Sequence, residues 1–187
     1  MIDPVTTTGF ALFDTPIGSC GIAWGARGIT GVQLPEASGA ATRARMVRRF
    51  APAPERDPPE AIQQVIGDIV RLLRGESVDL SEVTLDMTRV PGFHARVYDV
   101  ARSVSAGRTI SYGAIAERLG MPTEARAVGE SLGRNPFPLI VPCHRVVASD
   151  GRSGGFSASG GVMTKLRLLS IEGVQAPGTI PLFESPA

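Results

Sequence analysis

Between Gly9 and Glu36 the chain reads GFALFDTPIGSCGIAWGARGITGVQLPE, short apolar stretches punctuated by Gly18, Gly21, Gly25, Gly28 and Gly31. Apolar runs of that length with glycine at the junctions predict two or three antiparallel strands joined by tight turns. Cys20 falls at one of these turns, where a small packing residue is the commoner role. Residues 51–59, APAPERDPP, hold too much proline for a helix interior and read as a loop. Beyond them Ile62, Val65, Ile66, Ile69, Val70 and Leu73 recur at helical spacing, and Gly75 stands where that helix would stop. Residues 77–93 then read as an extended connection, and a domain boundary is expected near residue 90.

The second part of the chain has the periodicity of short helices. FHARVYDVARSVS carries Val97, Val100 and Val104 on one face. Ser111 is placed to cap a short helix, YGAIAERLG, which Gly120 would close. The pair MP breaks the pattern, and Thr123 is placed to cap a further helix, EARAVGESLGRN. Helix, short turn, helix is the helix-turn-helix arrangement. On the second of these helices Ala125, Val128 and Leu132 form a core stripe, and Arg126, Gly129, Glu130 and Gly133 an adjacent one. Glycine inside a helix costs about 1 kcal/mol relative to alanine. Two in one stripe imply either tight helix packing or close approach to a flat or narrow partner such as a nucleic-acid groove, and both readings stay open.

Composition narrows the class. The chain has 187 residues, 43% of them hydrophobic, enough for one large domain or two small ones with real cores. Its net charge of +1 does not by itself advertise nucleic acid, so a nucleic-acid binder of this composition would have to concentrate its arginines on one face. The first residues lack the pattern of a secretory signal, and no apolar run approaches the ~18 residues that span a bilayer. Two cysteines are too few for a disulfide framework. A structural zinc site needs about four ligands, and the candidates are Cys20, Cys143, His94 and His144, two of them adjacent. The expectation is a soluble, cytoplasmic protein with no metal, no cofactor and no membrane partner.

The chemistry concentrates in NPFPLIVPCHRVVASDGRSGGFS, residues 135–157. The run Phe137–Val141, bounded by prolines, resembles a buried strand, and Cys143 stands where it gives way to a loop. A thiol in apolar surroundings is inert until a base deprotonates it, and His144 is the adjacent candidate. Neighbours on an extended chain point to opposite sides, so the pair works only if the backbone turns at Cys143 or a water bridges the two. Glu172, at the end of VMTKLRLLSIE, could orient the histidine in the logic of a catalytic triad. Buried unreactive cysteine, backbone-satisfied histidine and solvated glutamate are the structural alternatives.

VPCHRVV resembles the active-site motif of the O6-alkylguanine-DNA alkyltransferases (methylated-DNA–protein-cysteine methyltransferases). GRTISYGAIAERLG, ARAVGESLGRNPFPLIVPCHRVV, GGFS and GVMTKLRLLSIEG resemble the same family in the same order over residues 90–173. TPIGSCGIAW resembles it more loosely. The resemblance implies an α/β N-terminal domain over 1–90, a small antiparallel sheet plus helix of ribonuclease-H-like form. It implies a mostly helical, winged-helix-like C-terminal domain with a helix-turn-helix over 91–187. It also implies roles. Cys143 would take the alkyl group from O6 of guanine, activated by His144 through a water and by Glu172. Asn135 would hold the turn before the active site. Tyr112 would assist base rotation and protonate the leaving guanine. Arg126 would enter the duplex in place of the flipped nucleotide, with Ala127, Gly129 and Gly133 on the DNA-facing helix in the minor groove. The Val146 backbone and Ser157 would read the flipped base, and Lys165 would support the site. The implied partner is double-stranded DNA carrying O6-alkylguanine, met by a monomer, and the thioether product implies a single turnover.

Three features depart from the family pattern. Glu130 puts a carboxylate on the DNA-facing stripe, within helical reach of Arg126 and Arg134. Phe156 stands where tyrosine is common, and GGFSASGG is slightly longer than the usual loop. Two other classes remain in view: a Cys/His hydrolase, which would turn over, and a DNA-binding module that recognises lesions without accepting the alkyl group.

Overall fold

The computed structural model describes residues 8–149 and 155–174. The chain begins with β1 (Gly9–Thr15), β2 (Gly18–Gly25) and β3 (Gly28–Gln33), an antiparallel sheet in the order β1-β2-β3. Gly18 and Gly28 turn the chain at φ 126° and 121°, a region costly for any residue with a Cβ. Cys20 does not lie in a turn. It pairs with Phe13 inside the sheet and is fully buried, which pushes its thiol up to about 12 and makes it a packing residue.

Helix α1 (Gly39–Phe50) follows, an element the apolar pattern does not announce. Only Thr42 and Met46 are buried, one turn apart, so there is no stripe to read. The contact works because Gly21 of β2 has no side chain: a Cβ there would stand 2.6 Å from Met46 Sδ. Ser38 caps the helix, its Oγ accepting from Ala41 N at 3.2 Å. The loop at 51–59 is as expected, and α2 (Glu60–Leu73) buries Ile62, Ile69, Leu72 and Leu73 against the sheet side of the core. Each such side chain contributes roughly 1.5–3 kcal/mol of apolar burial. Gly75, at φ 87°, ends the helix.

The remaining elements are α3 (Gly92–Arg102), β4 (Ile110–Ser111), α4 (Tyr112–Arg118), α5 (Ala125–Gly133), β5 (Val146–Val147) and α6 (Gly161–Ile171). Ser111 Oγ caps α4 by accepting from Ala114 N at 3.0 Å, and Gly120 closes it. Thr123 does not cap α5. Glu124 occupies that position without a side-chain bond, because the turn after Met121 uses one more residue than the cap pattern allows. α5 packs on both α3 and α4, and β4 pairs in parallel with β5. One apolar cluster runs from Ile22 and Trp24 through Tyr98 and Val128 to Val141 and Leu168, so the two halves of the chain share a core. No described helix is long and apolar enough to cross a membrane.

Candidate active site

The segment that delivers Cys143 is a set of turns, not the strand its apolar run suggests. Pro136, Pro138 and Pro142 remove the N–H groups that strand pairing needs. Asn135 closes the turn instead: its Nδ2 donates to Val141 O at 2.8 Å, and its Oδ1 accepts from Phe137 N at 2.9 Å. Leu139 adopts φ 74°, a strained value for a bulky residue, held by burial. Pro136 O ties the turn to the sheet by accepting from Val32 N at 2.9 Å and from Arg49 Nη2 at 3.3 Å. Pro142, at φ −80° and ψ 66°, forms an inverse γ-turn with Cys143 N donating to Val141 O at 2.8 Å.

Cys143, His144 and Arg145 then form one 3-10 turn. Successive side chains there splay about 120° apart, so Cys143 faces a cleft while His144 turns away from it. This is the backbone turn that a working Cys/His pair requires. The cleft has a volume of about 910 Å³, with Cys143 among its walls. Tyr112, Ala125, Arg126, Gly129, Glu130 and Gly133 line one side, and Phe156 and Ser157 the other. Ala125, expected in the core stripe, lines this cleft; Val128 is buried away from it, and Leu132 is buried but still contributes to the cleft wall. Ala127 is half-buried and is not among the lining residues. The start of the glycine-rich loop, including Gly154 of GGFS, lies outside the described residues.

Behind Cys143 lies a buried charge network. His144 Nε2 is 2.9 Å from Glu172 Oε1, with side-chain exposures of 1% and 3%. Arg145 donates to the same carboxylate through Nη2 at 2.8 Å and Nε at 2.9 Å, and through Nη1 to Val104 O at 2.5 Å. Burial alone would raise the Glu172 carboxyl, but the hydrogen bonds from His144 and Arg145 outweigh it and hold it at about 2. Burial lowers the His144 pKa despite Glu172, so the imidazole is neutral at pH 7. A neutral ring that donates from Nε2 keeps Nδ1 as an acceptor, and Nδ1 has no partner among the described residues. Arg145 is the site residue that the sequence reading omits. Its signal was available: an arginine directly before the apolar pair Val146–Val147, at the end of a buried run, needs a buried carboxylate.

Burial raises the Cys143 pKa, offset in part by Asn135, the Lys165 charge and the backbone N–H groups of Cys143 and His144. The resting group is therefore a thiol that needs a base. Lys165, fully buried, donates from Nζ to Val146 O at 2.6 Å and to Tyr112 OH at 3.4 Å. Burial brings Lys165 down to about 8. Burial and Cys143 raise Tyr112, which keeps its proton at neutral pH.

The glycine question is decided by the space around each residue. A Cβ at Gly129 would touch the Tyr112 ring at an ordinary 3.7 Å, and one at Gly133 would meet nothing within 4 Å. Tight internal packing therefore explains neither. Glu130 pairs with Arg126 at 3.4 Å, and Arg126 is 94% exposed, standing out from the cleft rim.

Residues 92–174 match the family model described as 6-O-methylguanine DNA methyltransferase, DNA binding domain. A methylated-DNA–protein-cysteine methyltransferase of Methanothermobacter thermautotrophicus is 37% identical over 163 residues, 87% of this chain and 84% of the relative. A Thermus thermophilus DNA base-flipping protein is 41% identical over 131 residues, 68% of this chain and 86% of that one. The crystal structure of Mycobacterium tuberculosis OGT in complex with DNA superposes with a TM-score of 0.71 at 32% identity, over 91% of this chain and 96% of that one. With this likeness spanning sheet, helix pair and cysteine turn together, the chain belongs to the methylated-DNA–protein-cysteine methyltransferase family.

Proposed function

We propose that this protein reverses DNA alkylation directly, moving the alkyl group from O6 of a flipped-out guanine to its own Cys143. The observation that carries the reading is the position of Cys143: on the wall of an open cleft, with a neutral histidine held by a buried glutamate behind it. The target atom is inaccessible in a stacked duplex, so the base must leave it, at a cost of a few kcal/mol. Arg126, exposed at the rim, would fill the gap and offset part of that cost. Ala127, Gly129 and Gly133 would let the minor groove come close to α5.

In the proposed step the Cys143 sulfur attacks the alkyl carbon, an S–C bond forms and the C–O6 bond breaks. The thiol proton passes through a water to His144 Nδ1, and Glu172 stabilises the imidazolium. The Tyr112 hydroxyl protonates the departing guanine, and Lys165 stabilises the resulting phenolate. Ser157 and the Val146 carbonyl would read the base. Lys165 already occupies one lone pair of that carbonyl, which leaves the other. The thioether has no hydrolytic route back, so each molecule acts once.

With this function go a cytoplasmic, monomeric protein and the 1–90 and 91–187 domains in their ribonuclease-H-like and winged-helix-like forms. The Thermus relative is named for base flipping, a step that lesion recognition without transfer would share, and that is the competing reading. Intact-mass analysis after mixing with duplex DNA carrying one O6-methylguanine separates the two. Transfer adds one methyl, mapped to Cys143 and absent in Cys143→Ala. Tight lesion binding with unchanged mass would support recognition alone.

A further inference from the structure

A second cavity, of about 770 Å³, opens away from Cys143, walled by the β2–β3 turn, the end of α1, the connection before α3 and the residues after α5. Its polar wall is cationic. Arg27, Arg49, Arg89 and Arg134 line it with His94. Asp86 is the one carboxylate on this wall among the described residues. It is already engaged, by Arg27 Nη2 at 3.3 Å and by Thr88 Oγ1 at 2.6 Å. Four arginines against one aspartate stand out in a chain whose whole net charge is +1.

Two groups on this wall lack the partner their chemistry calls for. The Arg49 guanidinium meets only neutral acceptors, Val32 O at 3.1 Å, Gln33 Oε1 at 3.2 Å and Pro136 O at 3.3 Å. Trp24 is 1% exposed, and its indole N–H has no acceptor among the described residues. Buried donors without acceptors are rare in folded proteins. Arg89 and Arg134, both exposed, have no side-chain hydrogen bond or ion pair among the described residues. Guanidinium groups with spare N–H donors around a concave wall are the arrangement that recognises phosphate.

The location fits that chemistry. Gly133, the last residue of α5, lines the active-site cleft, and Arg134, the next residue, lines this cavity. The two cavities therefore lie on either side of the C-terminal end of α5.

We infer that this second cavity is a phosphate-binding site, formed by Trp24, Arg49, Arg89, His94 and Arg134. Its phosphate comes from the backbone of a DNA strand running past the end of α5 or from a free phosphate anion. The first source rests on the DNA-repair reading above, and the second does not.

Trp24 is the only tryptophan in the chain, so its indole N–H resonance and its fluorescence come from one wall of this cavity. The full chain is titrated with inorganic phosphate and, separately, with undamaged duplex DNA, with chloride holding the ionic strength constant. Arg89→Ala/Arg134→Ala is carried through the same titrations, and methyl transfer to Cys143 is followed by mass in both proteins. A saturable Trp24 shift that becomes about tenfold weaker in the double variant supports the site. A shift with duplex alone assigns the phosphate to DNA, and a shift with inorganic phosphate alone assigns it to a free anion. No shift with either, or the same shift in the double variant, overturns the proposal. Transfer to Cys143 without a Trp24 response sinks this site and leaves the repair function standing. A Trp24 response without transfer does the reverse.

Discussion

On the buried side of Cys143 the polar groups are enclosed and almost all paired: Glu172 accepts from Arg145 and His144, and Arg145 also reaches the Val104 carbonyl. On the open side, Gly129 and Gly133 leave bare backbone, Glu130 is 58% exposed, and Arg126 extends into solvent. One side is fixed before any substrate arrives, and the other is left for a partner to complete. Substitutions behind the cysteine should therefore cost stability and rate together. Substitutions in front should separate stability from DNA binding.

The largest effect is expected at Arg145. Arg145→Ala leaves Glu172 as a buried carboxylate with one partner fewer, and breaking such a pair costs roughly 3–5 kcal/mol. Urea denaturation measures this, and a loss below 1 kcal/mol would contradict the network. Acid should reveal the same carboxylate. Its folded pKa, about 2, lies below the ordinary 4.5, so the unfolded state binds the proton first as pH falls. The stabilisation is complete above pH 4.5 and is lost as pH falls toward 2, to a total of roughly 3 kcal/mol. His144 is also depressed, so it adds a loss that begins below its ordinary 6.5. Glu172→Gln should flatten the acid limb of a stability–pH curve.

Asn135→Ala should cost about 1–3 kcal/mol by stranding the Phe137 N–H and leaving the Val141 carbonyl with Cys143 N as its one donor, and it should slow alkylation of Cys143. Rate and stability unchanged together would show that the turn does not set the thiol. The open side carries a sharper test. Gly133→Ala has nothing to collide with, so the free protein should gain up to about 1 kcal/mol from helix propensity while its duplex affinity falls. Equal changes in both, measured by thermal melting and DNA titration, would erase the distinction between the two sides. The smallest effect belongs to Glu130→Gln. Stability should move by less than about 0.5 kcal/mol, because its pair with Arg126 is exposed. Duplex affinity should rise, because a carboxylate facing phosphates is gone and Arg126 is released.

Much of this was legible in the sequence wherever pattern and local rule agreed. The glycine-punctuated strands, α2 with its apolar stripe, and Ser111 as a cap all follow from periodicity and turn chemistry. α1 was not legible, because a two-residue seam against Gly21 leaves no stripe. Phe137–Val141 misled because an apolar run records burial, not pairing, and three prolines decide against a strand. Cys143, His144 and Glu172 could be named, but which way each faces depended on the 3-10 turn, a tertiary result. Arg145 was legible too, since an arginine at the end of a buried run calls for a buried carboxylate.

The central claim is a covalent transfer that ends with the protein consumed. The most direct measurement counts repaired guanine per protein molecule with O6-methylguanine duplex in excess. The account predicts a plateau at one equivalent, reached as Cys143 becomes S-methylated. Product that keeps accumulating beyond one equivalent, or none despite tight binding, would contradict it.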